Sequence, residues 1–212
     1  MALRAVIFDY GMVLSAPPEP AAHAELLRIT GLPAVQLDAL YWADRSAFDA
    51  GQLTGEAYWH GLLRKAELNL SPAAVAELIV WDARMWMTAN APMLAWAQAL
   101  KAAGILTAIL SNIGDTVEQA MVRELDWLQG FDVCVWSHRL RLAKPDAAIY
   151  CHVLQQLGVE PHEALFIDDR QVNVEAALAL GINALVFTTV AELRAGLIAM
   201  GLEKLLPLPA VA

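Results

Sequence analysis

The chain has 212 residues, 58% hydrophobic and 17% charged, with a formal net charge of −9. That length suits one α/β domain or a core carrying a smaller insertion, and the apolar content excludes a disordered chain. The acidic balance argues against a nucleic-acid backbone as partner, since that contact needs clustered Lys and Arg. Apolar stretches broken by Lys, Asp, Pro or Gly argue against a membrane span of ~20 residues.

The start, Met1-Ala2-Leu3-Arg4, leads into a strand-like run without a signal-peptide layout. Cys134 and Cys151 form neither a disulfide framework nor a metal-ligand spacing. Both are expected as buried small apolar side chains, in a reducing, cytoplasmic setting.

In chain order, Leu3 to Phe8 is the first short apolar run and stops at Asp9. From about Ser15 to about Asn90 there is no strand-like run, only helical patterns punctuated by Pro17-Pro18, Gly31-Leu32-Pro33, Gly51 and Ser71-Pro72. Four of the seven tryptophans (Trp42, Trp59, Trp81 and Trp86) fall there and are expected as core. Pro92 to Ala103 reads as a helix closed by Gly104. Ile105 to Leu110 is the second run and stops at Ser111-Asn112, followed by a helix over Asp115 to Leu125. Phe131 to Trp136 is the third run, and a helix over Asp146 to Leu157 ends at Gly158. Ala164 to Ile167 is the fourth run and stops at Asp168-Asp169, and the helix Arg170 to Leu180 ends at Gly181. Ile182 to Phe187 is the fifth run, and Ala191 to Met200 the last helix, before a Pro207-Leu208-Pro209 tail expected along the surface. Runs apolar on both faces, alternating with helices, predict an α/β fold: a parallel sheet covered on both sides. The chain divides into a core, residues 1–14 plus 91–212, and an inserted helical segment, residues 15–90.

In an open α/β sheet, ligands bind outside the carboxyl ends of the strands. Asp9 is there, with Gly11 two residues on, where a missing side chain lets backbone approach an anion or metal. A carboxylate in that place can act as a nucleophile; alone, it is equally a turn-capping Asp. Ser111 and Asn112 offer neutral donors to phosphate oxygens, or simply start the next helix. Lys144, held extended by Pro145, is either a fixed ammonium for an anion or a solvated surface lysine. Asp168-Asp169 would join Asp9 to make three carboxylates, which cannot all stay ionised without a cation. Mg²⁺, hard and content with a few carboxylates plus waters, is the natural one. The plainer reading has Asp169 capping the next helix.

Asp9 with Gly11, Ser111-Asn112, Lys144-Pro145 and Asp168-Asp169, in this order at strand ends, resemble the four motifs of the haloacid dehalogenase superfamily. The resemblance covers the whole chain and implies a Rossmann-like parallel sheet core with an inserted α-helical cap over residues 15–90. It further implies Asp9 as nucleophile and metal ligand, with the Gly11 carbonyl and Asp169 as direct metal contacts and Asp168 acting through water. Tyr10, Gly11, Ser111, Asn112 and Lys144 would hold the phosphate, Lys144 with a catalytic part. The paired acids resemble the phosphatase branch, so the implied activity is a Mg²⁺-dependent phosphatase working through an aspartyl-phosphate.

One position departs from the pattern. Most phosphatases of this superfamily have a second Asp two residues after the nucleophile, as general acid and base; this chain has Gly11. General acid–base catalysis contributes about 10²–10⁴-fold, so its loss slows such an enzyme without abolishing it. The loop is similar to that of a subgroup of glucose-1-phosphatase type and of the phosphatase domain of epoxide hydrolases. Leaving groups that need little protonation, anomeric sugar phosphates or aryl phosphates, are the expected substrates. The alternatives are a metal-independent haloacid dehalogenase and a silent phosphate-ligand-binding protein. The partner expected is a small phosphorylated metabolite, with no nucleic acid and no membrane. A homodimer is compatible with an aromatic-rich insertion that exposes an apolar patch. His23, Arg45 and His60 of the insertion face either the site or solvent and are not assigned to the site; Arg45 is expected as a solvated helix residue.

Overall fold

The first apolar run folds as β1 (Ala5–Phe8), with every residue buried. In the computed structural model, which describes residues 3–211, β1 is the middle of five parallel strands. The Met1-Ala2 start lies outside the described residues. The others are β2 (Leu106–Ser111), β3 (Val133–Trp136), β4 (Ala164–Asp168) and β5 (Asn183–Val186), in the order β3-β2-β1-β4-β5. Period-two alternation sorts their side chains. Ala5, Ile7, Ala108, Leu110 and Phe166 enter one apolar cluster, and Val6, Phe8, Ile109, Leu165 and Ile167 the other. Both faces are therefore covered, which is why the runs carry no polar alternation.

The first cluster is completed by α9 (Ala147–Leu157) and α10 (Gln171–Ala179). The second takes in α6 (Ala91–Ala102), α7 (Asp115–Glu124) and α11 (Val190–Ala199). Trp96 of α6 meets Phe8 edge-on at 5.5 Å, and its indole N–H donates to the Pro207 carbonyl at 2.6 Å, tying down the C-terminal tail. The helix starting at Asp146 in the sequence pattern begins one residue later, because the Asp146 carboxylate caps it by accepting from Ala148 N. Strands β2 and β4 run into their polar residues: Ser111 pairs with Trp136 and Asp168 with Val186.

The stretch between β1 and α6 is helical, as its pattern predicts: α1 (Pro20–Thr30), α2 (Ala34–Ala43), α3 (Arg45–Asp49), α4 (Gly55–Lys65) and α5 (Pro72–Arg84). Ser71 and Thr54 cap α5 and α4 through their hydroxyls. The two chain crossings into this stretch lie side by side, with an antiparallel bridge Ser15–Ala89 and a 2.7 Å hydrogen bond from Ala16 N to the Thr88 carbonyl. The stretch meets the sheet domain along a close seam. A Cβ at Gly114 would enter the Phe48 ring, and one at Gly51, whose φ is +68°, would strike the His138 backbone. Across it, Asp115 Oδ1 accepts from Gly55 N at 2.9 Å and the Ser137 hydroxyl donates to the Asp49 carbonyl. Ser137 begins the short α8 (Ser137–Leu140).

Three expectations fail. Cys134 and Cys151 are both exposed: β3 is an edge strand, and Cys151 lies on the outer side of α9. Trp59 is fully buried, but Trp42 is 58% exposed and does not belong to the core. Arg45 is not solvated; it is buried. Among the described residues, no helix is long and apolar enough to cross a membrane.

Candidate active site

The carboxyl ends of β2, β1 and β4 are neighbours in the sheet, and the chain reverses its direction of travel between β1 and β4, the place where open sheets hold ligands. Asp9 follows β1, with its N–H continuing the ladder to the Ile167 carbonyl at 2.8 Å. Ser111 and Asp168 are the last residues of β2 and β4. A cavity of about 340 Å³ opens over them, a size suited to a small metabolite. Asp9, Tyr10, Gly11, Ser111, Asn112, Lys144 and Asp169 all line it.

Lys144 ties the three strand ends together. Its ammonium lies 2.8 Å from Asp9 Oδ1, 2.7 Å from Asp168 Oδ2 and 2.8 Å from the Leu110 carbonyl. Burial works against its charge, but Asp9 and Asp168 outweigh that, and its pKa is raised. Lys144 lies in a turn closed by a 2.9 Å hydrogen bond from Asp146 N to the Ala143 carbonyl and is joined to Pro145 by a cis peptide. Asn112 holds that turn: its Oδ1 accepts from Lys144 N and its Nδ2 donates to the Lys144 carbonyl, each at 2.8 Å. The side chain expected to meet phosphate is thus spent on positioning the lysine. Ser111 is different, since its hydroxyl makes no hydrogen bond among the described residues.

Asp9 Oδ1 accepts from Tyr10 N at 2.6 Å and faces Lys144, whereas Oδ2 has no protein partner among the described residues. Burial pushes this carboxyl up to about 7 against the pull of Lys144, and Asp168 and Asp169 push the same way. The following loop, Tyr10–Leu14, is one wide helical turn in which Gly11 and Met12 leave helical geometry, Met12 at φ 62°. The Tyr10 ring stacks on Trp127 and its hydroxyl donates to the Trp86 carbonyl, so neither is free for a ligand.

Asp168 is fully buried and accepts from Arg170 N, Asn173 Nδ2 and Lys144. Asp169 makes no side-chain hydrogen bond among the described residues, and burial, then Asp168, raises its pKa. Carboxylate oxygens of Asp9, Asp168 and Asp169 lie within 4.8 Å of one another. One ammonium balances three acids, leaving room for a divalent cation. The chemistry of the donor set fits one: Asp9 and Asp169 each offer a hard carboxylate oxygen to the cluster. Asn173 adds a buried Oδ1 without a partner. Asn173, in the first turn of α10, is not among the site residues expected from the sequence.

The far wall comes from the helical stretch and was also missed: Trp42, Arg45, Asp49 and Trp86 line the same cavity. Arg45 Nε donates to Asp49 Oδ1 at 3.0 Å, and Nη1 lies 3.0 Å from Asp82 Oδ1 and also donates to the Tyr41 hydroxyl. Rings of Tyr41, Phe48 and Tyr58 surround the guanidinium at 4.9, 5.1 and 5.9 Å. Burial pushes Asp49 up to about 6, against the pull of Arg45. His23 is hydrogen-bonded to Asp38 Oδ1 at 2.8 Å and His60 is exposed; neither lines the cavity.

The model of one protein family, described as haloacid dehalogenase-like hydrolase, matches residues 21–181. The chain is 29% identical to mouse bifunctional epoxide hydrolase 2 over 92% of its own length but only 38% of that protein's, and so spans well under half of it. It is 28% identical to (S)-2-haloacid dehalogenase 1 of a Pseudomonas strain, covering 85% of this chain and 82% of that one. A phosphatase of Mycobacterium tuberculosis is 26% identical over 93% of each chain. Among solved structures, a Bacteroides thetaiotaomicron enzyme in complex with magnesium and inorganic phosphate shares the fold, with a TM-score of 0.71 at 18% identity, covering 88% of this chain and 95% of that one.

Proposed function

We propose, from the premise that the chain belongs to the haloacid dehalogenase-like hydrolases, that it is a Mg²⁺-dependent phosphatase of a small phosphorylated metabolite, a sugar phosphate in particular. The observation that carries this reading is the cluster of three carboxylates within 4.8 Å of one another around a single ammonium. Asp9, Asp169 and the Gly11 carbonyl would hold the ion directly and Asp168 through water. Bound there, a divalent cation neutralises charge on the transferring phosphoryl oxygens.

The chain's own groups divide the work. Lys144 and the backbone N–H of Tyr10 fix Asp9 Oδ1, leaving Oδ2 to attack phosphorus. A bond from Oδ2 to phosphorus forms as the bond to the leaving oxygen breaks, giving an aspartyl-phosphate that water then hydrolyses. Ser111 donates to a phosphoryl oxygen, and Asn112 keeps Lys144 in place. Gly11 brings no proton to the leaving oxygen, so solvent protonates it and easily displaced leaving groups turn over faster. The mycobacterial phosphatase relative supports this reading.

The similarity to a haloacid dehalogenase favours a second reading, attack of Asp9 on carbon with release of halide. Assay of the purified protein on phenyl phosphate and on 2-chloropropionate, with Mg²⁺ and with EDTA, separates the two. Phosphate release lost in EDTA is the expected result. Halide release that persists in EDTA would replace it, and tight binding of a phosphate compound without turnover would make the protein a binder.

A further inference from the structure

The wall opposite Asp9 presents an unused donor beside an unused acceptor. Arg45 spends Nε on Asp49 and Nη1 on Asp82 and Tyr41, while Nη2 makes no hydrogen bond among the described residues. Asp49 spends Oδ1 on Arg45, and its Oδ2 has no partner among the described residues. Both residues line the cavity, as do Trp42, with much of its indole uncovered, and Trp86.

Resting on the phosphatase reading, we infer that Arg45 and Asp49 form a hydroxyl-reading subsite, with Trp42 and Trp86 as its apolar walls, that selects phosphorylated polyols. A hydroxyl both donates and accepts, which matches a carboxylate oxygen next to a guanidinium N–H. The charge count points the same way: two carboxylates, Asp49 and Asp82, face the Arg45 guanidinium, and Arg170, which also lines the cavity, only brings the sum to zero. Their sum is not positive, so a second anionic group on the ligand gains nothing there. Apolar and aromatic walls with a few fixed polar groups are the common make-up of small-ligand sites. The pair is also held rigid before any ligand arrives. Asp82 is fully buried against Arg45, three aromatic rings enclose the guanidinium, and Ser137 fixes the Asp49 carbonyl. That pre-organisation lowers the cost of binding.

The test compares kcat/KM with Mg²⁺ for glucose 1-phosphate, other aldose and alditol phosphates, 3-phosphoglycerate and phenyl phosphate, in the wild type and in Asp49→Ala, Asp49→Asn and Trp42→Ala. The best polyol phosphate should lose roughly tenfold to a hundredfold relative to phenyl phosphate in Asp49→Ala, the worth of a hydrogen bond to a charged group. Most of that loss should lie in KM, and Asp49→Asn, which keeps an acceptor, should lose less. A deoxy analogue lacking the hydroxyl that is read should cost the wild type a similar factor and Asp49→Ala nothing more. A proportional fall on all substrates, or a wild-type preference for 3-phosphoglycerate, overturns the inference and leaves the phosphatase reading standing. If no phosphate ester turns over, titration of the same compounds into Asp9→Asn with Mg²⁺ reads the subsite directly. Tighter binding of the polyol phosphate than of phenyl phosphate, lost with Asp49→Ala, supports it without hydrolysis. Equal or absent binding overturns it.

Discussion

The floor and the far wall of the cavity are built on different principles. The floor takes its groups from the ends of adjacent strands, where Asp9, Ser111 and Asp168 follow buried apolar runs and Lys144 bridges them. The wall takes its groups from helices, and its central residue, Arg45, depends on Asp82, 37 residues away in sequence. The floor concentrates charge; the wall neutralises its one cation and encloses it in rings. Charge is left unbalanced where bonds are to be broken, and balanced where a ligand only has to be held.

The sharpest way to break that contrast is to remove the floor's nucleophile. Asp9→Asn should lower phosphate release by at least ~10³-fold, in a steady-state assay with Mg²⁺, while the folded protein persists by circular dichroism. Retained activity would end the proposed role of Asp9. The wall should answer differently. Asp82→Ala strips a buried guanidinium of its main partner and should cost about 3–5 kcal/mol of stability, seen as a Tm lowered by roughly 2–4 °C per kcal/mol. A Tm unchanged by that substitution would mean that the wall network does not hold the helical stretch.

Those two sites also mark what could be read from the chain beforehand. Asp9 and Asp168-Asp169 were legible because an acid ending a buried run has a fixed place at the sheet's edge. Arg45 was not, because the residues that bury it (Tyr41, Phe48, Tyr58 and Asp82) belong to three other helices or to other turns of the chain, and a helix face alone does not reveal its partner. Asn112 was legible by its place after a buried run, but the hold of its side chain on the Lys144 backbone was not, because only the fold brings the two together. Trp42 was expected inside on composition, yet it stands uncovered beside the cavity.

Smaller effects sharpen the comparison at the seam. Gly114→Ala forces a methyl group into the Phe48 ring and should cost about 1–3 kcal/mol, with KM rising more than kcat falls as Phe48 shifts beneath Arg45. A neutral Tm would show that the ring can move aside freely. The gentlest prediction concerns pH. In the metal-free protein, Asp9 takes up its proton at about 7, well above an unfolded carboxyl. Between about pH 4 and pH 7 the folded state therefore binds more protons than the unfolded one, and stability falls as pH rises. Thermal melts in EDTA should show that decline, a shallower one in Asp9→Asn, and recovery of Tm at pH 8 when Mg²⁺ is added. A melt profile that is flat from pH 4 to 8 would contradict the charge imbalance argued for the floor.

The paired crossings at Ser15–Ala89 leave the two ends of the helical stretch within one hydrogen bond of each other. A sheet that emits and recovers its excursion at a single point constrains what lies between only at ends that meet and along the seam at Gly114, Asp115 and Ser137. Evolution can thus exchange the whole excursion, its arginine and tryptophans included, as one cassette, and a grafted replacement should change which molecules are accepted while the strand-end chemistry beneath stays intact.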